Sequence, residues 1–423
     1  MEPRRLGTVI RAARAAHRMT QVQLGRRCGY SASAISRVEA GLLRPAERTL
    51  ALMAEALDLL PSAVGLERPD TLASDVTLGQ EGAMLRRELL AAGVAAAGVS
   101  MLPSPAGAAQ QDPATRILGA LYEPKDTEPV AGRQLEVLLH EARDHFTAAR
   151  YQALGAVLPN LLGATEATRD SLIGRAREEA HGYVARAWVL ATELAVKSHA
   201  DVAWATADRA LAAAQASGDP VIRGEAARVL AITMRRAGRP AAAVDLLRRS
   251  ADSLAGDRTA ESQAVGATLL LTAAYTAACG QRRSDALDLM AGAESATARL
   301  AAGRRAPKGR LFTVDATESQ VALYWIGVHN ALGTPDQGVP HATGMAPQQL
   351  PSAERRARFG TDSARMWHRL GDHRRTFAAL RFVEHVAPEE LRRPALRALT
   401  ADLLYAPAVL PGVREFARRT GAA

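Results

Sequence analysis

The segment from Thr20 to Gly41 constrains the fold of this chain more than any other. Thr20 and Ser31 each precede a short stretch with apolar residues at helical spacing, and a hydroxyl side chain in that position caps the first turn of a helix. Gly29 lies between the two stretches, and Gly41 follows the second. Two short capped helices joined by a glycine-containing turn predict a helix-turn-helix unit.

The composition favours helices and a nucleic-acid partner. Hydrophobic residues make up 48% of the 423 residues and aromatic residues only 4%, and the length predicts two or three domains. The net charge of +9 is almost entirely arginine, which suits planar contacts to phosphate and guanine. Residues 1–68 hold 11 arginines against 6 acidic residues, so the basic excess is concentrated around the helix-turn-helix. The sequence therefore predicts an all-α protein that binds double-stranded DNA.

Other motifs for chemistry are missing from the sequence. Cys28 and Cys279 are far apart and have no metal-ligand spacing, and no apolar leader follows Met1, so a reducing cytoplasm is expected. No histidine lies in a His-Glu-x-x-His pattern, and no glycine-rich phosphate loop occurs. We expect a protein that is not an enzyme and uses no metal or cofactor.

The pattern of helices and breakers divides the chain into four segments. A five-helix DNA-binding domain is predicted over residues 4–66, and a linker over 67–132 that contains an apolar helix at 84–102 and a proline-rich hinge. A helical repeat domain is predicted over 133–406, and a C-terminal tail over 407–423. The apolar helix is interpreted as a buried or dimerising segment; membrane association and a twin-arginine export signal are the alternatives.

A repeated local phrase organises the third segment. A helix ends at glycine, a short polar turn follows, and a small or apolar residue begins a new buried face. This phrase occurs at Gly238, Gly280 and Gly371, and in a degenerate form at Gly333. The spacings of 42, 53 and 38 residues predict one helical hairpin per unit and hence an α-solenoid. The phrase resembles the turn inside a tetratricopeptide repeat; an irregular helical domain is the alternative.

Residues 6–66 are identified as a member of the lambda-repressor/Cro-like (Xre) family. The resemblance rests on Thr20-Gln21, Leu24, Gly29, Ser31, Ile35-Ser36-Arg37, Glu39, Gly41, Pro45 and the Leu50/Leu57 pattern. It implies binding as a homodimer to a palindromic operator whose half-sites lie one helical turn apart. It also implies that Leu24, Ile35 and Val38 are core residues, and that Arg14 and Glu39 form a buried pair that fixes the second helix of the motif.

The same resemblance indicates which residues of the helix-turn-helix contact DNA, and two arginines that follow it are added because of their position. They are Gln21, Ser31, Ala32, Ser33, Ser36, Arg37, Arg44 and Arg48. Ala32 and Ser33 occupy the main base-reading positions but are small, so Arg37 is the strongest candidate to read a base, with a phosphate contact as its alternative. Arg44 and Arg48 are predicted to contact phosphates, or else to lie on plain solvated surface.

The whole arrangement resembles peptide-sensing regulators of bacterial quorum sensing, and Xre-plus-repeat regulators from arginine-rich, lysine-poor actinobacterial-type proteomes. This implies a transcriptional regulator whose repeats bind a peptide, small-molecule or protein effector, with no membrane partner. The predicted pocket consists of Tyr275, Tyr324, Trp325, His329 and Asn330, for which ordinary packing is the alternative. The alternative function is an interaction scaffold that the helix-turn-helix only localises on DNA.

Overall fold

The computed structural model describes residues 3–59 except 18, 29, 42, 44, 46 and 58, and residues 113–422 except 124, 199 and 303–315. The chain forms two compact units, residues 1–105 and 106–423. Every regular element in the described residues is helical, which confirms the predicted all-α fold. The predicted fifth helix near Pro61 and the apolar helix at 84–102 lie outside the described residues.

The N-terminal domain is built from four described helices around one small core. They are α1 (Pro3–Ala16), α2 (Gln21–Cys28), α3 (Ala32–Glu39) and α4 (Glu47–Ala56). Each helix contributes apolar side chains at helical spacing, so that Ile10, Leu24, Ile35, Val38 and Met53 are all fully buried. The three core residues that the sequence predicted for α2 and α3 are therefore confirmed.

The C-terminal domain contains fifteen α-helices in its described residues. They are α5 (Pro113–Tyr122), α6 (Gly132–Thr147), α7 (Tyr151–Ser171), α8 (Gly174–Lys197), α9 (Ala203–Ala216), α10 (Pro220–Arg236), α11 (Pro240–Asp252), α12 (Ala260–Cys279), α13 (Arg283–Ala302), α14 (Glu318–Leu332), α15 (Pro335–Thr343), α16 (Ala353–Arg369), α17 (His373–Val386), α18 (Pro394–Leu403) and α19 (Val413–Arg419). Two short 3₁₀ helices lie at Pro347–Gln349 and Pro388–Arg392.

Helices α6 to α17 form six consecutive hairpins that stack side by side. Within each hairpin the even-numbered helix packs on the following odd-numbered one, and each even-numbered helix also contacts the next even-numbered helix. The even-numbered helices therefore form an inner layer and the odd-numbered helices an outer layer, as the predicted solenoid of helical hairpins requires.

The stack closes on itself, which the sequence did not predict. Helix α16 of the last hairpin contacts α6 of the first, so the six inner helices form a ring. One continuous apolar core joins the two ends and includes Leu139 and Phe146 on one side and Ala357 and Leu380 on the other. Buried polar contacts reinforce this junction, which we call the seam.

Buried hydrogen bonds and ion pairs from Tyr151 and Lys197 stabilise the seam. The Tyr151 hydroxyl donates to Glu390, and Lys197 Nζ lies against the carboxylates of both Glu354 (2.5 Å) and Glu390. At its edge the backbone N–H of Gln152 donates to Glu389 Oε2 at 3.0 Å. Burying these charges is tolerated because each carboxylate has a cation and hydrogen bonds to satisfy it.

The glycine phrase marks the turn inside four of the hairpins, as predicted. Gly238, Gly333 and Gly371 adopt left-handed conformations, with φ between 74° and 77°, that L-residues with a Cβ avoid. The remaining copy differs, because its left-handed residue is Gln281 (φ 59°). Gly280 instead allows close packing, since a Cβ there would lie 3.1 Å from Pro240 Cγ.

The structure corrects the predicted ends of the repeat domain. Helix α5 lies within the predicted linker of 67–132, yet Ile117 is fully buried in the core. The predicted tail of 407–423 contains α19, whose Phe416 is buried in an edge-to-face pair with Phe377. The prolines and polar residues of these two segments suggested that they are unstructured. The few apolar residues in each segment are nevertheless enough to pack one helix against the core of the repeat domain. In the described residues, no helix is both long and apolar enough to cross a membrane.

Candidate nucleic-acid interface and central cavity

Two hydroxyl caps position the helices of the helix-turn-helix. Thr20 and Gln23 form a reciprocal capping box, in which Gln23 N–H donates to Thr20 Oγ1 (3.2 Å) and Thr20 N–H donates to Gln23 Oε1 (2.8 Å). Ser31 has extended backbone angles, and its hydroxyl accepts the N–H of Ala34 at 3.2 Å. The caps fix where α2 and α3 begin, and hence which residues lie on the first turn of α3.

Glycines allow the three helices to approach closely. A Cβ on Gly7 of α1 would lie 2.5 Å from the carbonyl oxygen of Val38 at the end of α3. A Cβ on Gly25 of α2 would lie 2.3 Å from the carbonyl oxygen of Tyr30 in the turn. Backbone therefore packs directly against backbone, and α3 is held at a defined position.

A buried carboxylate anchors the end of α3. Arg14 donates to Glu39 through Nε (2.5 Å) and Nη2 (3.1 Å), and its Nη1 donates to the carbonyl of Met19. Gln21 Nε2 donates to Glu39 Oε2 at 2.8 Å, and Arg11 Nε lies 3.7 Å from it. Burial alone would raise the pKa of Glu39, but the hydrogen bonds from Arg14 and Gln21 outweigh it and lower that pKa. The carboxylate is thus held in its charged form and ties α3 to α1 and α2.

The outer face of α3 presents few groups that can read a base. Ser36 and Arg37 are exposed, Ala32 is partly buried, and the Ser31 hydroxyl serves as the helix cap. The side chains of Ser33 and Arg48, and the whole of Arg44, lie outside the described residues. Of the predicted base-reading residues, Arg37 offers the longest side chain and the most hydrogen-bond donors.

Gln21 has a structural role that the sequence did not predict. Its side-chain amide donates one N–H to Glu39, which turns it toward the interior of the domain. The amide still has a second N–H and a carbonyl oxygen. The predicted phosphate contact of Gln21 therefore remains a prediction, with one donor already committed to anchoring α3.

The C-terminal domain encloses a cavity of about 350 Å³ at the centre of its ring. All six inner helices line it, including α6 through Phe146, α12 through Tyr275 and α14 through Tyr324. A volume of this size lies at the lower end of the range of small-molecule sites. Because the ring brings together residues from hairpins far apart in sequence, no local pattern predicts that these residues share a cavity.

The cavity wall is strongly cationic. Helix α8 contributes Glu193 and Lys197, and α10 contributes Arg228, Arg235 and Arg236. The opposite wall consists of Glu354, Arg355, Arg358, Asp362 and Arg365 of α16, together with Arg393. Among the described residues, one lysine and seven arginines therefore face three carboxylates, and Glu390 behind the wall brings the acids to four, which leaves an excess of four positive charges.

Most of these cations have a carboxylate partner. Glu193 accepts from Arg228 Nη1 at 3.1 Å, and Glu354 lies between Lys197 and Arg355. Asp362 pairs with Arg358 at 2.6 Å and lies 3.5 Å from Arg365, and Glu390 pairs with Arg393 at 2.8 Å. The wall is therefore an ordered ion-pair network in which cations outnumber anions.

Arg235 and Arg236 differ from the other cations of the wall. Within the described residues neither forms an ion pair with a carboxylate; Arg235 Nη1 donates to Thr276 Oγ1 (3.0 Å) and Arg236 Nη1 to the carbonyl of Val196 (2.5 Å). Burial, together with the nearby Arg393 and Arg235, lowers the pKa of Arg236. Among the described residues their hydrogen bonds therefore go to neutral acceptors, and Arg236 lies at the exposed rim of the cavity.

Two tyrosines complete the cavity and report its potential. The Tyr275 ring is flanked by Arg235 and Arg358, whose guanidinium carbons lie 4.8 and 5.2 Å from its centroid. Burial would raise the pKa of Tyr324, but Arg228 and Arg355 outweigh it and lower that pKa. The lowered pKa is the effect of the arginines that surround the half-buried Tyr324 hydroxyl.

The structure divides the predicted pocket of five residues. Tyr275 and Tyr324 line the cavity, but Trp325 stacks on His329 (5.3 Å) and His341 (5.5 Å) on another face of α14. Consecutive helical residues point about 100° apart, whereas residues 325 and 329 share a face. Asn330 does not line the cavity, because its buried Nδ2 donates to the carbonyl of Asp362 at 2.8 Å.

The sequence offered one signal for the missed arginines. On α16 the charged residues 354, 355, 358, 362 and 365 follow helical spacing along one face, and most of them are substantially buried in the wall. Such a stripe is ordinarily interpreted as a solvated surface, and only ring closure shows that it faces inward. Within the described residues, no group of three histidines, cysteines or carboxylates is arranged to hold a metal ion.

Comparison with known proteins identifies the N-terminal domain. Residues 5–64 match the sequence profile of a family described as a helix-turn-helix domain. No curated protein matches the chain. Among solved structures, Bacillus thuringiensis PlcR in complex with the peptide PapR7 and DNA matches at 11% identity and a TM-score of 0.32, over 89% of this chain and 99% of that one. A similarity this weak carries no argument about function, whereas the profile match places a helix-turn-helix domain at residues 5–64.

Proposed function

We propose that the chain is a transcriptional regulator that binds operator DNA as a dimer through α3 and binds an effector in its central cavity. The DNA-binding part follows from the helix-turn-helix domain. Dimeric binding, a palindromic operator and effector sensing are the finer parts of the proposal.

The observation that carries the proposal is the anchoring of α3. Glu39 at its C-terminal end is tied to α1 by Arg14 and to α2 by Gln21, while Ser36 and Arg37 on its outer face are exposed. A helix that is fixed from behind and exposes an arginine in front suits insertion into the major groove. In that position Arg37 would donate to O6 and N7 of a guanine.

The sparse chemistry of α3 supports the dimer. Ala32 can offer only apolar contact, and a single small module with one strong base contact binds weakly. Two copies on half-sites one helical turn apart would combine their affinities and add the spacing of the half-sites as a source of specificity.

The central cavity supports an effector. It is enclosed by six helices, lined by charged and aromatic side chains, and separate from the core of the DNA-binding domain. Pockets of this type, with a few convergent polar groups, are the usual sites for small ligands.

A gel-shift experiment on the promoter region upstream of the chain's own coding sequence tests the regulator. We expect a discrete site bound at least about a thousandfold more tightly than random DNA at physiological salt. Arg37→Ala should weaken that site by about tenfold and relax the preference at one base position. Arg27→Ala removes an equal charge from exposed surface on α2 and should leave the base preference unchanged.

Gln21→Ala should weaken all sequences alike, because it removes a possible phosphate contact and a hydrogen bond that orients α3. Binding no tighter to the promoter than to random DNA would disprove the regulator. A protein that co-purifies with the chain, combined with sequence-independent DNA binding, would favour the scaffold instead.

A further inference from the structure

The positive charge of the central cavity exceeds what its own carboxylates neutralise. The excess of four charges lies on side chains that converge from α8, α10, α16 and Arg393. Like charges repel more strongly in an enclosed, poorly hydrated space than at a surface, and folding alone gives no reason to gather them there. Most of the cations already have carboxylate partners, so the surplus is not needed to satisfy buried acids.

Several donor atoms in the cavity wall form no hydrogen bond to a carboxylate among the described residues. In the part of the chain that the structure describes, Arg235 and Arg236 donate to neutral acceptors, through one nitrogen each. Arg228 is almost fully buried, and its Nε has no hydrogen-bond partner among the described residues. A guanidinium has five donors in a planar fork, which matches the paired oxygens of a phosphate or carboxylate.

We infer that the central cavity binds a small anion that carries at least two acidic groups, phosphate or carboxylate. This inference rests on the proposed effector site and names the chemistry of its ligand. The acidic groups would lie against Arg228, Arg235 and Arg236 on one wall and Arg358 on the other. Tyr275, held between Arg235 and Arg358, and Tyr324 would contact the organic part of the ligand.

The position of the cavity gives such a ligand a structural effect. Helices α8 and α10 belong to the early part of the ring, and α16 belongs to the hairpin that closes it. An anion held between these walls would reduce their mutual repulsion and strengthen the contact across the seam. Ligand binding should therefore stabilise the closed ring.

Isothermal titration calorimetry on the full chain in about 150 mM salt tests this inference, with pyrophosphate and citrate as probes. We expect saturable, one-to-one binding of at least one probe with a dissociation constant below about 1 mM. The tighter probe distinguishes a phosphate ligand from a carboxylate ligand. At saturation, the melting temperature of the C-terminal domain should rise by roughly 5 °C.

Arg235→Gln is the informative variant, because it removes a cavity cation without leaving a carboxylate unpaired. It should weaken the better probe by about tenfold or more. Arg239→Gln is the matched control: Arg239 is exposed, does not line the cavity and stacks 6.0 Å from the Trp204 centroid, so binding should not change. Thermal unfolding without ligand checks that each variant folds, and Arg236→Gln at the cavity rim provides a second test with a smaller expected loss.

Failure to bind either probe would overturn the inference, as would equal losses in Arg235→Gln and Arg239→Gln, since these would indicate non-specific surface charge. The outcome is separable from that of the regulator. If the chain binds an operator but no anion, only the inference about the class of ligand is disproved. If it binds an anion but no discrete operator, the proposal that it is a transcriptional regulator is disproved.

Discussion

Replacing Arg14 with alanine tests whether the buried carboxylate holds α3 in place. The Glu39 side chain is only 1% exposed and that of Arg14 16%, and two hydrogen bonds of 2.5 and 3.1 Å join them. In the Arg14→Ala variant, Glu39 keeps the Gln21 amide at 2.8 Å and a distant Arg11 at 3.7 Å. The carboxylate would remain charged and buried with its strongest partner removed.

The expected loss follows from this geometry. Breaking a buried pair by removing one partner costs about 3–5 kcal/mol, and because Glu39 retains one good donor we expect the lower end, about 3 kcal/mol. A domain of this size has a total stability of only about 3–9 kcal/mol. Its melting temperature should therefore fall by roughly 12–24 °C.

Differential scanning calorimetry on the full chain can measure this loss, since the two domains have separate cores and should unfold in separate transitions. Only the N-terminal transition should shift, and operator binding should be lost at 37 °C but retained in the cold. Arg11→Ala is the control: Arg11 is 59% exposed, so about 1 kcal/mol or less is expected. If Arg14→Ala lowered the stability of the N-terminal domain no more than Arg11→Ala does, the Arg14–Glu39 pair would not be the contact that holds α3.

Two further predictions concern the seam and the packing of α1. Lys197 and Arg393 outweigh the effect of burial and lower the pKa of Glu390 from 4.5 to about 2, so its contribution to stability is complete above about pH 4.5 and is lost as the pH falls toward 2. Calorimetry of the C-terminal domain should show this acid loss, with a flatter pH dependence in Glu390→Gln; the same slope in both would contradict it. Gly7→Ala should destabilise the N-terminal domain by about 2 kcal/mol in urea unfolding, because the new Cβ would lie 2.5 Å from the Val38 carbonyl. Gly119→Ala, where an added Cβ would meet no atom of the described residues within 4 Å, should cost nothing, and equal effects would show that α1 can move aside.

The N-terminal domain was predictable because its determinants are local. Helix caps act over three residues, and the Thr20 and Ser31 caps appear where the sequence placed them. Apolar spacing within single helices identified Leu24, Ile35 and Val38 as core. The turns of the repeats were predictable for the same reason, because a glycine at the end of a helix is a local signal.

The ring and its cavity were not predictable, because they depend on contacts between distant hairpins. Tyr151 and Glu390 are 239 residues apart, and nothing near either residue indicates that they meet. The predicted pocket combined four residues that lie close together in the sequence of α14 with Tyr275 of α12. Neighbours on a helix point in different directions, so Tyr324 reached the cavity while Trp325 stacked elsewhere.

The two proposed activities place different demands on the chain. Helix α3 offers one strong base reader, so in the proposed regulator most of the operator affinity comes from phosphate contacts and from pairing two copies, and DNA shape adds specificity. An affinity that depends on pairing changes steeply with small shifts in how two copies associate. A ligand that tightens the ring needs to supply only about 1.4 kcal/mol of coupling to alter operator binding tenfold.

An operator gel shift titrated with pyrophosphate or citrate measures the coupling between the cavity and operator binding. An affinity that stays constant while calorimetry shows the cavity filled would mean that the ring and the DNA-binding helix act independently.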